Sequence, residues 1–216
     1  FDRALADDQR LAIAHVGLCL AYTRELEFSA SAWARRKASE ACGKAVREFP
    51  RKAAAHLAQA DFFRLAGLPS DAIDHYEWVI AEQPENADAW RGLGQARYAE
   101  RITNGAEEAL RESLALRPRD ARTVAAYTRF LLAERRYADA VGIARTLVQL
   151  DPNSSSAYAL FAQALLYNGE FPAAIQAGRQ AVAHDLDNRE AMLTIAGGYY
   201  YQGNYARAGR IYQQAM

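Results

Sequence analysis

The sequence is short of the residues that interrupt or brace a chain. Of 216 residues only 6 are Pro, 2 are Cys and 2 are Met, and the formal charges cancel, with 26 Lys+Arg against 26 Asp+Glu. Two cysteines, Cys19 and Cys42, cannot build the Cys-rich framework of a small secreted scaffold or a four-thiolate zinc site. A zero balance offers no general field for a polyphosphate backbone, which argues against broad nucleic-acid binding unless the charge is segregated. The longest near-apolar stretch, Leu11 to Tyr22, contains His15 and is shorter than the roughly 18 to 20 residues of a membrane span. No basic, apolar and small-residue order of a secretory leader follows Phe1, so targeting information is expected outside this sequence; the compartment stays open, with a cytoplasmic setting favoured over a periplasmic one. What is abundant is Ala, at 47 residues, and Arg, at 23 of the 26 basic residues; Lys occurs only as Lys37, Lys44 and Lys52. Such a composition favours helix nearly throughout.

The main signal is a period of 34. Pro50, Pro84, Pro118 and Pro152 lie 34 apart, and at this Pro frequency the three later coincidences have a chance of roughly one in fifty thousand. Ala38, Ala72, Ala106, Ala140, Ala174 and Ala208 keep the same step, as does the track Ala45, Val79, Ser113, Leu147, Ala181, Ala215. Each unit reads as two helices. Pro stops one helix and suits the approach to the next, because it lacks the N–H and fixes φ. Apolar residues then recur at helical spacing, as in Tyr158, Phe161, Leu165 and Met192, Ile195, Tyr199. Small residues at Ala60, Gly94, Ala162 and Ala196, with the Ala38 series, let the paired helices approach closely. Turns are expected at 66–70, at Thr103-Asn104-Gly105, at 168–172 and at 202–205.

These landmarks resemble the tetratricopeptide repeat (TPR) family. Trp90, Leu93, Gly94, Ala106, Leu110 and Pro118 fall on that family's Trp, Leu, Gly, Ala, Phe and Pro positions, while Arg97 replaces the usual Tyr, with Tyr98 one residue on. The resemblance covers essentially the whole chain and implies an all-α, right-handed superhelix, an α-solenoid of helix-turn-helix repeats. As one array, the expected units are 1–11 (the trailing helix of a truncated repeat), an elongated repeat 12–52, then 53–86, 87–120, 121–154, 155–188 and 189–216. The seven extra residues of the elongated repeat lie within Arg24 to Arg36 and lengthen its helices or their turn. Leu186 stands where Pro would be, with Asp187-Asn188 able to end and restart a helix. With half a repeat at the start and no polar capping helix after Met216, the array is expected to continue in both directions.

No constellation supports catalysis. His15 and His56 fall on the Trp position, His75 lies in a second helix and His184 is near a turn; no two have the spacing of a metal-binding helix. Gly92-x-Gly94 lacks the preceding strand and third Gly of a dinucleotide motif. Ser154-Ser155-Ser156 reads as a helix cap, with no His or acid in register to activate a nucleophile. No catalytic residue, metal or cofactor is therefore expected. Cys19 and Cys42 occupy small inward positions facing each other; they are read as buried thiols, with a disulfide as the alternative in an oxidising compartment. Gly197-Gly198 costs about 2 kcal/mol relative to Ala and is read as close packing of a neighbouring helix rather than room for a ligand.

The family resemblance implies a protein-interaction module whose concave face, lined by first helices, binds a peptide or protein segment. The residues expected there are Arg64, Arg91, Gln95, Tyr98, Arg122, Arg129, Gln163, Tyr167, Tyr200 and Tyr201. Arg suits carboxylates and Tyr gives contact area at low entropy cost, so a ligand with acidic residues is expected. The Lys and Asn clamp of co-chaperone arrays is missing from the first helices after the first repeat. An Asn ladder is missing too, its positions held by Ala58, Gly92, Ala126, Leu160 and Thr194. Residues 31–52 are net +5, which suits an acidic partner or simply a solvated helix face. The elongated repeat, with Gly17-Leu18-Cys19 and Glu40-Ala41-Cys42, is also similar to TPR arrays that follow kinase, cyclase or winged-helix domains in bacterial signalling proteins. Self-association through uncapped ends, as a scaffold joining effector domains, is the alternative role.

Overall fold

The computed structural model describes the backbone of residues 2–216 and the side chains of residues 11–216. Helices follow one another along the described chain: α1 (Asp2–Ser29), α2 (Ala32–Glu48), α3 (Ala53–Leu65), α4 (Pro69–Glu82), α5 (Ala87–Ala99), α6 (Thr103–Leu116), α7 (Ala121–Ala133), α8 (Tyr137–Leu150), α9 (Ser155–Tyr167), α10 (Phe171–His184), α11 (Arg189–Tyr201) and α12 (Tyr205–Gln214). They divide into two compact units, Phe1–Leu116 with α1 to α6 and Arg117–Met216 with α7 to α12. In each unit a helix packs on its partner and on the helix that follows. First helices also touch first helices (α1 with α3, α3 with α5, α7 with α9, α9 with α11), whereas second helices within a unit do not meet. First helices therefore share one face of each unit, and a groove opens between successive second helices.

The turns explain the period. Each first helix from α3 onward ends on a residue in the left-handed region, Gly67, Arg101, Arg135, Gly169 and Gly203, with φ of 75°, 64°, 59°, 83° and 78°. The next amide reaches back to a carbonyl five residues earlier, as in Leu68 to Phe63 at 2.9 Å and Arg136 to Leu131 at 2.8 Å, so helix-end carbonyls are satisfied. The turn between α5 and α6 thus centres on Arg101, not on Thr103-Asn104-Gly105 as expected. Thr103 opens α6, and Gly105 lies in its first turn. At the opposite end Asn86, Asp120, Ser154 and Asn188, again 34 apart, each cap a first helix by accepting the amide of the third residue on.

Helix α1 runs from Asp2 to Ser29 without interruption, so 2–11 is continuous with the helix that follows; no Gly, Pro or Asn lies in Asp7-Asp8-Gln9-Arg10-Leu11 to turn it. Side chains of residues 1–10, and with them the register of the expected trailing helix, lie outside the described residues. The extra residues of the elongated repeat extend α1 and α2 to 28 and 17 residues, joined through Ala30. Cys19 and Cys42 meet across this pair, both fully buried, and form a disulfide with a Cα–Cα distance of 4.6 Å. This replaces the buried-thiol reading. The two small residues sit in a core cluster with Leu26, Ala34, Ala38, Ala58 and Phe62.

Interface packing matches large to small. Tyr76 of α4 is fully buried and lies across Gly92 of α5, where a Cβ would come within 2.2 Å of its ring. Gly94 admits Leu110 in the same way, Gly178 of α10 admits Ile195 of α11, and Gly198 admits Ile175 of α10. The Gly198 contact is the close approach expected of the Gly197-Gly198 pair. One core position departs from the pattern: Gln59 stands where later repeats have Leu93, Tyr127, Phe161 and Ile195, and its Oε1 is buried without a hydrogen-bond partner.

Candidate functional site

In the first unit the first-helix face carries a charged cluster held from below. Tyr76 passes under Gly92 and its hydroxyl donates to Asp61 at 2.7 Å; the Arg64 Nε donates to the same hydroxyl at 3.3 Å. Arg64 is also 3.9 Å from the Asp61 carboxylate, and Arg91 donates to Asp88 at 2.6 Å. All four charged side chains are only partly exposed, at 14% to 31%. Burial raises the Asp61 pKa above its ordinary value, against the Tyr76 hydrogen bond and the charges of Arg64 and Arg91. Burial, reinforced by Asp61, likewise pushes the Tyr76 phenol well up. Arg64 and Arg91 are thus brought together with Asp61 and Asp88, and Gln95 and Tyr98 are half-buried on the same helix as Arg91.

In the second unit Arg122 and Arg129 are exposed on α7; Arg122 lies 3.5 Å from Asp120, while no carboxylate among the described residues pairs with Arg129. Gln163 is half-buried on α9. The tyrosines gather near the turns. Tyr167 stacks on Tyr137 at 5.6 Å, Tyr201 on Phe171 at 5.2 Å, and Tyr200 meets Tyr201 and Tyr205 edge-on at 5.6 and 5.3 Å. Tyr167 and Tyr201, the last residues of α9 and α11, and Tyr137, Phe171 and Tyr205, the first of α8, α10 and α12, both keep the 34-residue step.

Two arrangements were not foreseen. Tyr76 is the anchor of the charged cluster; its only sequence trace is the Gly at position 92, at the position held by Ala58 and Ala126 in neighbouring repeats. His56 and His75 are joined, with their Nδ1 atoms 2.8 Å apart, although they lie 19 residues apart on α3 and α4. His56 Nε2 is 3.0 Å from the Pro50 carbonyl, as the Trp90 indole is 2.7 Å from that of Pro84, one repeat on. With Nε2–H donating to Pro50, His56 Nδ1 accepts from His75. Burial, then the charge of His56, lowers the His75 pKa. Among the described residues no group of three His, Cys, Asp or Glu side chains is placed to hold a metal, and no helix is long and apolar enough to cross a membrane.

Helix pairs stacked at a 34-residue step, turned by left-handed residues and capped in register, define an α-solenoid of helix-turn-helix repeats. A family model described as tetratricopeptide repeat matches residues 66–121 and 159–216, together more than half of the sequence. The chain belongs to the tetratricopeptide repeat family, a family of protein-binding repeat modules that are generally non-catalytic. Solved structures share the fold. PilF of Pseudomonas aeruginosa is 21% identical with a TM-score of 0.74, over 96% of this chain and 97% of that one. MamA from Desulfovibrio magneticus RS-1, residues 41 to the end, is 17% identical with a TM-score of 0.68, covering 77% and 94%. YrrB, described as a TPR protein with an unusual peptide-binding site, is 18% identical with a TM-score of 0.64, covering 82% and 91%. No curated protein matches the sequence.

Proposed function

We propose that the first-helix face binds a peptide or protein segment, and that the chain is a non-catalytic interaction module within a larger bacterial signalling or assembly protein, its repeats forming one array over 1–216. The observation that carries this reading is the quartet Asp61, Arg64, Asp88 and Arg91, half-buried on that face, with a fully buried Tyr76 hydrogen-bonded to Asp61 and Arg64. Keeping charges partly out of water is costly, and a fixed set of donors and acceptors beside Gln95 and Tyr98 suits the hydrogen-bonding backbone of an extended segment. In the second unit Arg122, Arg129, Gln163, Tyr167, Tyr200 and Tyr201 supply a basic and aromatic contact surface. Since Arg64, Arg91 and Arg122 already face carboxylates, a preference for acidic ligands rests mainly on Arg129. YrrB, an array of this fold described as having a peptide-binding site, supports the same reading.

The test is capture of partners from a lysate of the source organism, then titration of the best one against wild type and an Arg91→Ala/Arg122→Ala/Arg129→Ala variant. A loss of about tenfold or more in affinity, with helicity unchanged, is expected; unchanged affinity removes the site from this face. The scaffold reading is favoured by the exposed Leu11, Ile13, Leu18 and Leu20 on α1, beside an apolar groove of about 370 Å³. A molar mass that stays monomeric at every concentration refutes it.

A further inference from the structure

Away from the first-helix face, the second unit carries a groove between α10 and α12, floored by α11. Its volume is about 450 Å³, within the ordinary range for ligand sites. Met192, Ile195 and Ile211 form an apolar floor, and three arginines, Arg179, Arg207 and Arg210, stand on the rim. Tyr199 ties two of them down: Arg179 donates to its hydroxyl at 2.5 Å, and the Arg207 guanidinium lies 5.6 Å from its ring centroid. Among the described residues no acidic side chain lines the groove. Among the described residues no carboxylate pairs with any of the three arginines, in contrast to Arg64, Arg91 and Arg122.

The same groove exists one repeat earlier, between α8 and α10, and provides an internal comparison. Its volume is about 510 Å³, and Arg145, Tyr158, Phe161 and Leu165 line it where Arg179, Met192, Ile195 and Tyr199 line the later one. The two differ in charge: Ala173 and Gln176 stand in the earlier groove where Arg207 and Arg210 stand in the later, and Glu170 joins the earlier lining. The earlier groove is open with a further helix pair packed behind it, so the opening belongs to the repeat geometry itself.

We propose that the α10–α12 groove docks an acidic amphipathic helix of a partner protein. The groove lies between two helices that do not touch, so a third helix laid in it packs on both, its apolar side chains on Met192, Ile195 and Ile211. Its flanking Asp and Glu meet the three arginines in charge-assisted hydrogen bonds. Charge complementarity selects this occupant over a neutral or basic one.

The experiment selects binders for the full chain from a displayed library of random peptides about four helical turns long. Enriched peptides are then titrated by fluorescence anisotropy against wild type, Arg207→Ala/Arg210→Gln and Arg179→Gln. The double variant gives the later groove the residues of the earlier one, which folds with them, and circular dichroism checks that helicity is kept. The expected result is a set of peptides with apolar residues at helical spacing flanked by Asp and Glu. Their affinity falls about tenfold or more in the double variant, several-fold in Arg179→Gln, weakens with salt, and is unchanged in Arg91→Ala/Arg122→Ala/Arg129→Ala, which separates this site from the first-helix face. Ala173→Arg/Gln176→Arg raises the stoichiometry from one peptide to two. Enrichment of neutral or basic peptides, no enrichment, affinity indifferent to the rim arginines, or binding only to anionic lipid vesicles or to further copies of the chain each overturns the proposal.

Discussion

Replacing Gly92 by Ala tests whether Tyr76 is the keystone of the first unit. In an open helix the change is favourable by about 1 kcal/mol, because Ala loses less backbone entropy than Gly. At position 92 the new methyl falls 2.2 Å from Tyr76 Cζ and 2.6 Å from its hydroxyl, and the ring is fully buried with nowhere to retreat. Overpacking of that kind costs about 1 to 3 kcal/mol. Displacing the ring also pulls the hydroxyl from Asp61, a hydrogen bond to a charged group worth about 1.5 to 3 kcal/mol. The net expectation is destabilisation by about 2 to 4 kcal/mol in urea unfolding followed by far-ultraviolet circular dichroism. Gly142 is the control, since a Cβ there meets nothing within 4 Å, and Gly142→Ala is expected to stabilise by about 0.5 to 1 kcal/mol. In a Tyr76→Leu background, which installs the residue found at Leu110 one repeat on, Gly92→Ala loses most of its cost. Equal destabilisation in both backgrounds, or a Gly92→Ala protein as stable as wild type, refutes the reasoning.

Gln59→Leu, which restores the residue type of Leu93, removes a buried amide oxygen without a partner and is expected to stabilise by about 1 to 3 kcal/mol in the same assay. Arg101→Gly and Arg135→Gly place the residue of Gly67, Gly169 and Gly203 in the left-handed turn; each is expected to raise stability by about 1 kcal/mol, read as a higher urea midpoint. His75 has a folded pKa lowered below 6.5, so the unfolded chain takes up its proton first as pH falls. Its contribution is complete above about pH 6.5 and is lost as pH falls through the folded value. Urea midpoints are therefore expected to drop on acidification below pH 6.5, with a shallower drop in His75→Gln.

The helix pairs were legible because the residues that stop and start helices are local and recur. Pro84, Asn86 and the small residues of the Ala38 series act within a few residues of their own position, and a 34-residue step repeats their effect. The turn between α5 and α6 is displaced from its expected place because Asn104-Gly105 has the composition of a turn, whereas the geometry is set by Arg101, a residue type that seldom takes a left-handed φ. The disulfide, the His56–His75 pair and the role of Tyr76 depend on which faces of different helices meet. Cys19 and Cys42 are 23 residues apart in the one repeat of irregular length, where the register of neighbouring repeats gives no guide to the angle between α1 and α2. Periodicity puts Asp61 and Asp88 on the first-helix face together with the arginines, but not the pairing that engages Arg64 with Asp61 and Arg91 with Asp88. Nothing in the sequence sets second-helix residues such as Arg207 and Arg210 apart; the floor beneath them does.

The alternation of bulk across interfaces makes the repeats individually addressed. Tyr76 needs the bare backbone of Gly92 opposite it; the same slot in the next repeat is Ala126, whose methyl already occupies that space. Ile195 in turn needs Gly178, and the positions equivalent to Gly178 in the first unit are Cys42, Tyr76 itself and Leu110. Units that share length, turn and cap are therefore not interchangeable bricks. A chain that slips by one repeat while folding, or exchanges a repeat with a neighbouring molecule, sets phenol against methyl and fails to close, so a sequence that looks repetitive carries its own running order.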